Sequence, residues 1–163
     1  MEFDNDYLNK LLEQAAENPR LRQNLDLRTS PDDCSQRMLN ALLPETIVSI
    51  HRHPHSSESV ICLCGRLDEV LYEEVISYVT SSDNANFPLA QDGGDVMRKR
   101  RFKEIKRIHL CPADGIYGCQ VPKGVWHTVE VLEPSVIYEA KDGKYGEDGS
   151  ESFEMNSNLG SNL

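Results

Sequence analysis

The chain has 163 residues, of which 39% are hydrophobic, and a formal net charge of −10 at pH 7. This length is typical of one domain that buries its own core, and the acidic balance disfavours nucleic acid as a partner. No apolar run is long enough to suggest a membrane partner. Five cysteines without a CxxC pair favour a reducing, cytoplasmic location over a disulfide framework.

The N-terminal part of the chain is predicted to form a helix followed by strands. Residues 5–17 place apolar side chains at helical spacing, and Pro19 stops the pattern. Residues 20–28 alternate between apolar and polar side chains, which predicts a strand. Residues 35–43 have a mixed pattern that periodicity alone could assign to a helix.

The rest of the chain is predicted to form strands separated by turns. The strands are predicted at residues 46–53, 58–64, 67–79, 97–110, 116–121, 125–132 and 135–141. Gly65-Arg66 is predicted to be a hairpin turn, and the polar residues 80–95 a surface loop. Many short strands with turns between them imply an antiparallel barrel or jelly roll.

Three of the five histidines lie at every second position, and a carboxylate follows them. On a strand, His51, His53 and His55 project from one face, with Glu58 within reach after a short bend. His127 follows a Pro-Lys-Gly turn, so it is expected at a strand end, where it can point into a cavity. Imidazole and carboxylate together are ligands for a divalent metal.

These two segments resemble the two motifs of the cupin superfamily. The first motif is HxH, four residues, E, six residues and G, and it is matched by His51, His53, Glu58 and Gly65. The second is G, five residues, PxG, two residues, H, three residues and N, and it is matched by Pro122, Gly124 and His127. Its leading Gly is off by one position (Gly115), and its Asn position is Val131. Neither departure removes a ligand.

The resemblance implies one divalent metal, which could be Fe, Mn, Ni, Co or Zn. The implied ligands are His51, His53, Glu58 and His127. Four protein ligands on a six-coordinate ion leave two positions for water or substrate. His55 is expected beside the site or at its exposed rim, and His109 on the surface.

Four segments resemble the WbuC family of cupin-fold metalloproteins. They are residues 18–24, 36–42, 51–55 and 136–145. The resemblance covers most of residues 7–145 and implies an all-β, cupin-type antiparallel barrel with a short N-terminal helix, in which residues 35–43 are a strand. That family is found beside genes for bacterial surface polysaccharides, and its reaction is not established.

Three regions are predicted along the chain. Residues 1–30 form a helix and a strand that pack on the barrel, and residues 31–145 form the cupin barrel. Residues 146–163 are rich in Gly, Ser, Asn and Glu, which predicts a flexible tail.

Several residues in the matching segments are candidates for chemistry or substrate binding. The catalytic candidates are Glu139 and Lys141, and the substrate-binding candidates are Arg37, Tyr145 and Trp126, with Arg20, Arg22 and Asn24 as weaker candidates. A buried cation is costly unless it is paired. Arg37 and Lys141 are therefore expected either to grip an anionic or polyhydroxylated substrate or to form an ion pair with Glu139. Trp126 can stack on a sugar ring, although a core position is the commoner outcome.

Three functions stay open. The first is a metal-dependent isomerase or epimerase that acts on a sugar, sugar phosphate or nucleotide sugar. The second is an iron-dependent dioxygenase, and the third is a non-catalytic module that binds a metal and a sugar. The basic run at residues 98–107 is a solvated strand face, a phosphate site or a contact to the acidic surface of a second subunit in a homodimer.

Overall fold

The structure is a computed structural model that describes residues 1–80 and 96–153. It begins with helix α1 (Asn5–Glu17), as the apolar spacing predicts. The side chain of Asp4 caps the helix and accepts a hydrogen bond from the backbone N–H of Tyr7 at 2.9 Å. Among the described residues, no helix has the length and apolar content that crossing a bilayer requires.

Eight strands follow within the described residues. They are β1 (Arg22–Asp26), β2 (Ser35–Leu42), β3 (Ile50–Arg52), β4 (Glu58–Thr80), β5 (Val96–Leu110), β6 (Gly118–Val121), β7 (Trp126–Asp142) and β8 (Glu151–Phe153). The sheet order is β1-β2-β7-β3-β8, and β4 pairs with β5, β6 and β7. Every pairing is antiparallel. The strand predicted for residues 46–53 is confined to the three residues of β3.

Two apolar clusters hold the barrel together. The interior cluster includes Leu67, Leu110 and Ile137, which are fully buried, and burial of such a side chain contributes about 1.5–3 kcal/mol. The second cluster forms where the apolar face of α1, including Ala15, packs on β2 and β7 at residues such as Leu39. The boundary predicted at residue 30 stays a prediction.

The hairpin turn predicted at Gly65-Arg66 is wrong, because β4 continues through these residues. The strand bulges there against β7 and stays paired with it on both sides of the bulge. Gly65 adopts φ +83°, a left-handed conformation that favours glycine in a bulge as well as in a turn. Residues before and after Gly65 pair with the same strand, β7, so β4 bends here without reversing its direction. The strands predicted at 125–132 and 135–141 likewise form the single strand β7.

β4 and β5 extend past the barrel as a two-stranded ribbon. Within the described residues, β7 pairs with β4 only as far as Tyr72, whereas β5 pairs with it to Thr80. The predicted basic run lies on β5. Arg100 pairs with Glu74 at 2.5 Å, and Arg107 forms ion pairs with three acidic groups, Asp68, Glu104 and Glu130. The loop predicted for residues 80–95 lies, from residue 81 onward, outside the described residues.

Part of the tail predicted from residue 146 forms a strand, and its flexibility stays a prediction. Strand β8 pairs with β3 at the edge of the site, and Arg52 forms an ion pair with Glu151 at 2.8 Å. The side chain of Asp148 is only 6% exposed and pairs with Lys141 at 2.8 Å. Polar contacts order this segment, so its apolar-poor composition did not reveal it. Residues 154–163 lie outside the described residues.

Candidate metal centre

The four predicted ligands converge at one end of the barrel. His51 in β3 lies opposite His127 in β7 in the strand register. His53 follows β3 and Glu58 begins β4, so the short connection between these strands places both beside the pair. One ligand atom from each of the four residues lies within 4.8 Å of the other three.

Burial and hydrogen bonding set the charges of this cluster. The Oε2 atom of Glu58 lies 3.1 Å from Nε2 of His127 and 3.4 Å from Nε2 of His53. Burial opposes the ionisation of Glu58, but these two hydrogen bonds outweigh it and hold its pKa well below the usual range. Burial and then the neighbouring His127 lower the pKa of His51 to about 4. A carboxylate and a neutral imidazole are the forms that bind a metal.

Backbone carbonyls orient two of the rings. The Nδ1 atom of His51 donates to the carbonyl of Ser49 at 2.9 Å, and that of His127 donates to the carbonyl of Val125 at 3.0 Å. A proton on Nδ1 leaves the lone pair of Nε2 for the centre of the cluster. In a neutral His127 ring, Nε2 and the Glu58 carboxylate then face each other as two acceptors. Either a proton on Nε2, which makes the hydrogen bond to Glu58, or a metal ion between the two atoms makes this contact favourable. The residues therefore fit a divalent metal.

A polar network holds the third ring. The hydroxyl of Ser150 lies 2.8 Å from Nδ1 of His53 and donates to Oδ2 of Asp148 at 2.6 Å. Lys141 contacts the same Asp148 oxygen and also lies 2.8 Å from Nδ1 of His53. Burial opposes the ionisation of Asp148, but its hydrogen bonds to Lys141 and Ser150 outweigh burial and lower its pKa. Lys141 thus lies at the site as predicted, but its partner is Asp148 and not Glu139.

Sequence reasoning missed Asp148 and Ser150. Both lie in a segment that is poor in apolar residues, and no periodic pattern marks it. The one available signal is the recurrence of glycine at 143, 146 and 149, all with positive φ. Repeated left-handed turns suit a segment that follows a fixed path over a site.

The predicted catalytic residue Glu139 lies inside the barrel and lines the same cavity as His51 and Glu58. Its carboxylate accepts a hydrogen bond from the side-chain amide of Asn40. Burial and then the negative charge of Glu58 raise the pKa of Glu139 to about 8. A carboxyl group beside the metal ligands can therefore carry a proton near neutral pH.

Glu69 is a second inward-facing carboxyl, and sequence reasoning missed it. Its side chain is fully buried, and neither carboxyl oxygen has a hydrogen-bond partner among the described residues. Burial, followed by the charges of Glu139 and Glu58, raises the pKa of Glu69 well above its usual range. The available signal was the acidic pair Asp68-Glu69 between the apolar residues Leu67 and Val70 of a buried strand.

Two adjoining cavities of about 390 Å³ and 270 Å³ meet at the cluster. Five residues line both: Met38, His51, Glu58, Glu139 and Tyr145. The first cavity extends towards Lys141, Asp148 and Ser150. The second extends towards Arg20, Arg22 and Asn24, with Asn40 and Glu69 deeper in the barrel. The weaker candidates Arg20, Arg22 and Asn24 therefore line the site.

Two predicted substrate-binding residues do not line these cavities. Arg37 pairs with Asp33 at 2.6 Å, because its neighbours Gln36 and Met38 take the inward positions of an alternating strand. Trp126 packs on Phe102, with 5.0 Å between ring centroids, and lies under Arg52. Its neighbour His127 takes the inward position, so Trp126 faces the other side of β7.

The two remaining histidines lie outside the cluster. His55 is exposed beyond the bend after His53. The side chain of His109 is 65% exposed, and its ring contacts Asp68 at 2.6 Å. Cys62 belongs to the apolar interior, as the commoner role of a buried cysteine predicts.

The pH dependence of stability tests the environment of Glu69. Because its pKa is raised in the folded state, the unfolded chain loses this proton first as pH rises above about 4.3, so folding weakens with increasing pH. We expect the melting temperature of the metal-free Glu69→Gln protein to fall less between pH 5 and pH 8 than that of the metal-free wild type. Thermal denaturation in a chelator measures the difference. Glu73→Gln, at an exposed position, is the control, and an equal loss in Glu69→Gln and wild type would contradict the prediction.

Sequence comparisons find a match to one family model in the N-terminal half of the chain. A family model described as a domain of unknown function (DUF6016) matches residues 3–82. No curated protein matches the chain.

Comparisons with solved structures identify the fold. The capsular polysaccharide assembling protein CapF from Staphylococcus aureus is 15% identical with a TM-score of 0.51, and the match covers 91% of this chain and 35% of CapF. KdgF from Halomonas sp. is 12% identical with a TM-score of 0.46, over 77% of this chain and 82% of KdgF. An uncharacterised Klebsiella pneumoniae protein with a double-stranded β-helix domain is 13% identical with a TM-score of 0.43, over 82% and 84% of the two chains.

The fold and the site together define a class. The chain is an all-β, cupin-type antiparallel barrel with a short N-terminal helix, and it spans about a third of the length of CapF. Its cluster of three histidines and one glutamate brings together ligand atoms that fit one metal ion.

Proposed function

We propose that this chain is a WbuC-type cupin enzyme that isomerises or epimerises a sugar, sugar phosphate or nucleotide sugar with the help of one divalent metal. The observation that carries the proposal is the position of Glu139. This carboxyl group lines the same cavity as the metal ligands, and its raised pKa suits a group that both takes and returns a proton near neutral pH.

The metal ligands, Glu139 and Asn40 have separate roles in the proposed reaction. His51, His53, Glu58 and His127 would hold the divalent metal, which would supply a Lewis acid for a carbonyl oxygen of the substrate. Glu139 removes the proton from the carbon beside that carbonyl, so that a C–H bond breaks and an O–H bond forms on the carboxylate. The electron pair of the C–H bond moves to the carbonyl oxygen. In isomerisation the same group returns the proton to the former carbonyl carbon, while the proton of the adjacent hydroxyl moves to the former carbonyl oxygen. In epimerisation the intermediate turns in the cavity, and the group returns the proton to the opposite face of the original carbon. Asn40 holds the Glu139 carboxyl in place through its amide.

Two further observations are consistent with a sugar substrate. The WbuC family, which this chain resembles over most of residues 7–145, is found beside genes for surface polysaccharides. CapF is described as a capsular polysaccharide assembling protein. A role in polysaccharide biosynthesis is part of the proposal, whereas a cytoplasmic location and a homodimer stay predictions.

Deuterium exchange tests the reaction directly. The metal-loaded protein is incubated in D₂O with a panel of sugar phosphates and nucleotide sugars, and NMR follows deuterium entering the carbon beside the carbonyl or the formation of an epimer. We expect Glu139→Gln to slow this exchange about 10²–10⁴-fold, the usual contribution of a positioned acid–base group. Glu133→Gln, an exposed position on the same strand, is the matched control.

Other outcomes would replace the proposal. Oxygen consumption by the iron-loaded protein without proton exchange would support the dioxygenase. Tight sugar binding without exchange or oxygen consumption would support the non-catalytic module. Unchanged exchange in Glu139→Gln would remove Glu139 from the reaction.

Removal of the metal is expected to lower stability without unfolding the chain. A ligand that binds only the folded state stabilises it by about 2.7 kcal/mol at a hundred times its Kd, which for a domain of this size corresponds to roughly 5–10 °C in melting temperature. The barrel keeps its own apolar interior without the metal. Calorimetry should therefore show one cooperative transition for each sample, and the transition with chelator should lie at the lower temperature. An unfolded metal-free protein would contradict this expectation.

A further inference from the structure

Two arginines at the mouth of the second cavity have no acidic partner in the part of the chain that the structure describes. Arg20 and Arg22 line this cavity together with Asn24. Within the described part of the chain neither guanidinium forms an ion pair, and Arg22 makes one hydrogen bond, to the carbonyl of Ile47 at 3.2 Å. Burial and then the charge of Arg20 lower the pKa of Arg22. Two neighbouring guanidinium groups without a counter-charge favour an anion, which they bind through paired N–H donors.

The deeper end of the same cavity has the opposite character. The side-chain oxygen of Asn40 and both oxygens of Glu69 are buried and have no hydrogen-bond partner among the described residues. Asn40 is 8% exposed and Glu69 is fully buried. Buried polar atoms in native proteins are almost always partnered, so these oxygens require donors that enter the cavity. Hydroxyl groups supply such donors and can also accept a proton held by a neutral carboxyl group.

We propose that this cavity binds a phosphorylated polyol in one orientation, with its phosphate at Arg20 and Arg22 and its hydroxyl groups at Asn40 and Glu69. The orientation places the middle of the molecule beside His51, Glu58 and Glu139, which line the same cavity. A volume of about 270 Å³ that adjoins a second cavity of about 390 Å³ suits a hexose phosphate.

The inference rests on the proposed function for the choice of a sugar, and it adds the phosphate and the residues that select it. It also assigns anion binding to Arg20 and Arg22 in place of Arg37, which the sequence favoured. Arg37 is paired with Asp33 and does not line the cavity, whereas Arg22 lines it and has no acidic partner among the described residues.

Calorimetric titration of the metal-loaded protein tests the two ends separately. The probes are the 6-phosphates of glucose, galactose and mannose, the three parent sugars and inorganic phosphate. We expect Arg22→Met to weaken the tightest hexose phosphate about ten- to a hundredfold, the effect of losing a charge-assisted hydrogen bond. The same variant should lose inorganic phosphate binding. Glu69→Leu should weaken the hexose phosphate about tenfold and leave inorganic phosphate unchanged.

Arg37→Met is the matched control, because it removes an arginine of the neighbouring strand that does not line the cavity. Unchanged affinity in Arg22→Met, an effect of Arg37→Met as large as that of Arg22→Met, or a wild type that binds none of the probes would overturn the anion site. Hexose phosphate binding no tighter than that of inorganic phosphate, or unaffected by Glu69→Leu, would overturn the polyol site and assign the deep oxygens to buried water. Melting temperatures of all variants show whether each one is folded.

The deuterium exchange experiment separates this inference from the proposed function. Exchange that persists in Arg22→Met with unchanged affinity would refute the orientation and leave the enzyme in place. Binding with the expected dependence on Arg22 and Glu69, but without exchange, would refute the isomerase and leave the binding site in place.

Discussion

Replacement of His127 with alanine is expected to lower the affinity for the metal at least about a hundredfold, since loss of a residue that merely supports a ligand already costs ten- to a hundredfold. The reason lies in the cluster itself. Nε2 of His127 faces Glu58 at 3.1 Å, and its ring is held by the carbonyl of Val125. Alanine removes both a ligand atom and the group that stabilises the carboxylate. Elemental analysis after dialysis should show about one ion per wild-type chain and almost none in His127→Ala.

The other two histidines provide matched controls. His55 lies two positions from a ligand but outside the cluster, and His109 contacts Asp68 on the barrel exterior. His55→Ala and His109→Ala should therefore retain one ion per chain. Full metal content in His127→Ala would remove it from the ligand set, and loss of metal in His55→Ala would redirect the assignment to that residue.

The sequence predicted that His51, His53, Glu58 and His127 come together because their motif spacing is short and local. His51, His53 and Glu58 lie within one bend of the chain, and a Pro-Lys-Gly turn marks the position before His127. The apolar spacing of residues 5–17 likewise predicted the helix that the structure contains. These features depend on neighbours in the chain, which a single sequence displays.

Contacts between distant segments were beyond that kind of reasoning. Whether Arg37 or Gln36 faces the cavity depends on the phase of β2 against β7, and the mixed pattern of residues 35–43 does not define this phase. Asp148 reaches Lys141 through a path that only the folded chain reveals. Glu69 belongs to a strand in which consecutive residues are buried on both faces, so alternation could not place it. In each case the deciding interaction is a long-range one.

Gly65 is another residue whose role depends on a distant segment of the chain. Its replacement with alanine is expected to destabilise the protein by about 2–5 kcal/mol. A left-handed φ costs a non-glycine residue roughly 1–2 kcal/mol, and Gly65 has φ +83°. A Cβ at this position would lie 2.2 Å from the carbonyl oxygen of Pro134 and 2.7 Å from Cα of Ser135. Both atoms belong to the backbone of β7, and such overpacking typically adds about 1–3 kcal/mol.

Gly115 separates these two contributions to the free energy of unfolding. It has φ +77°, and an added Cβ would meet no atom within 4 Å. Gly115→Ala therefore carries only the conformational cost of about 1–2 kcal/mol, whereas Gly65→Ala carries the steric cost as well. Chemical denaturation of both variants should place Gly65→Ala well below Gly115→Ala in stability. Equal losses would show that β7 moves away from the bulge without cost, and that close contact between β4 and β7 at Gly65 does not hold the bend of the barrel.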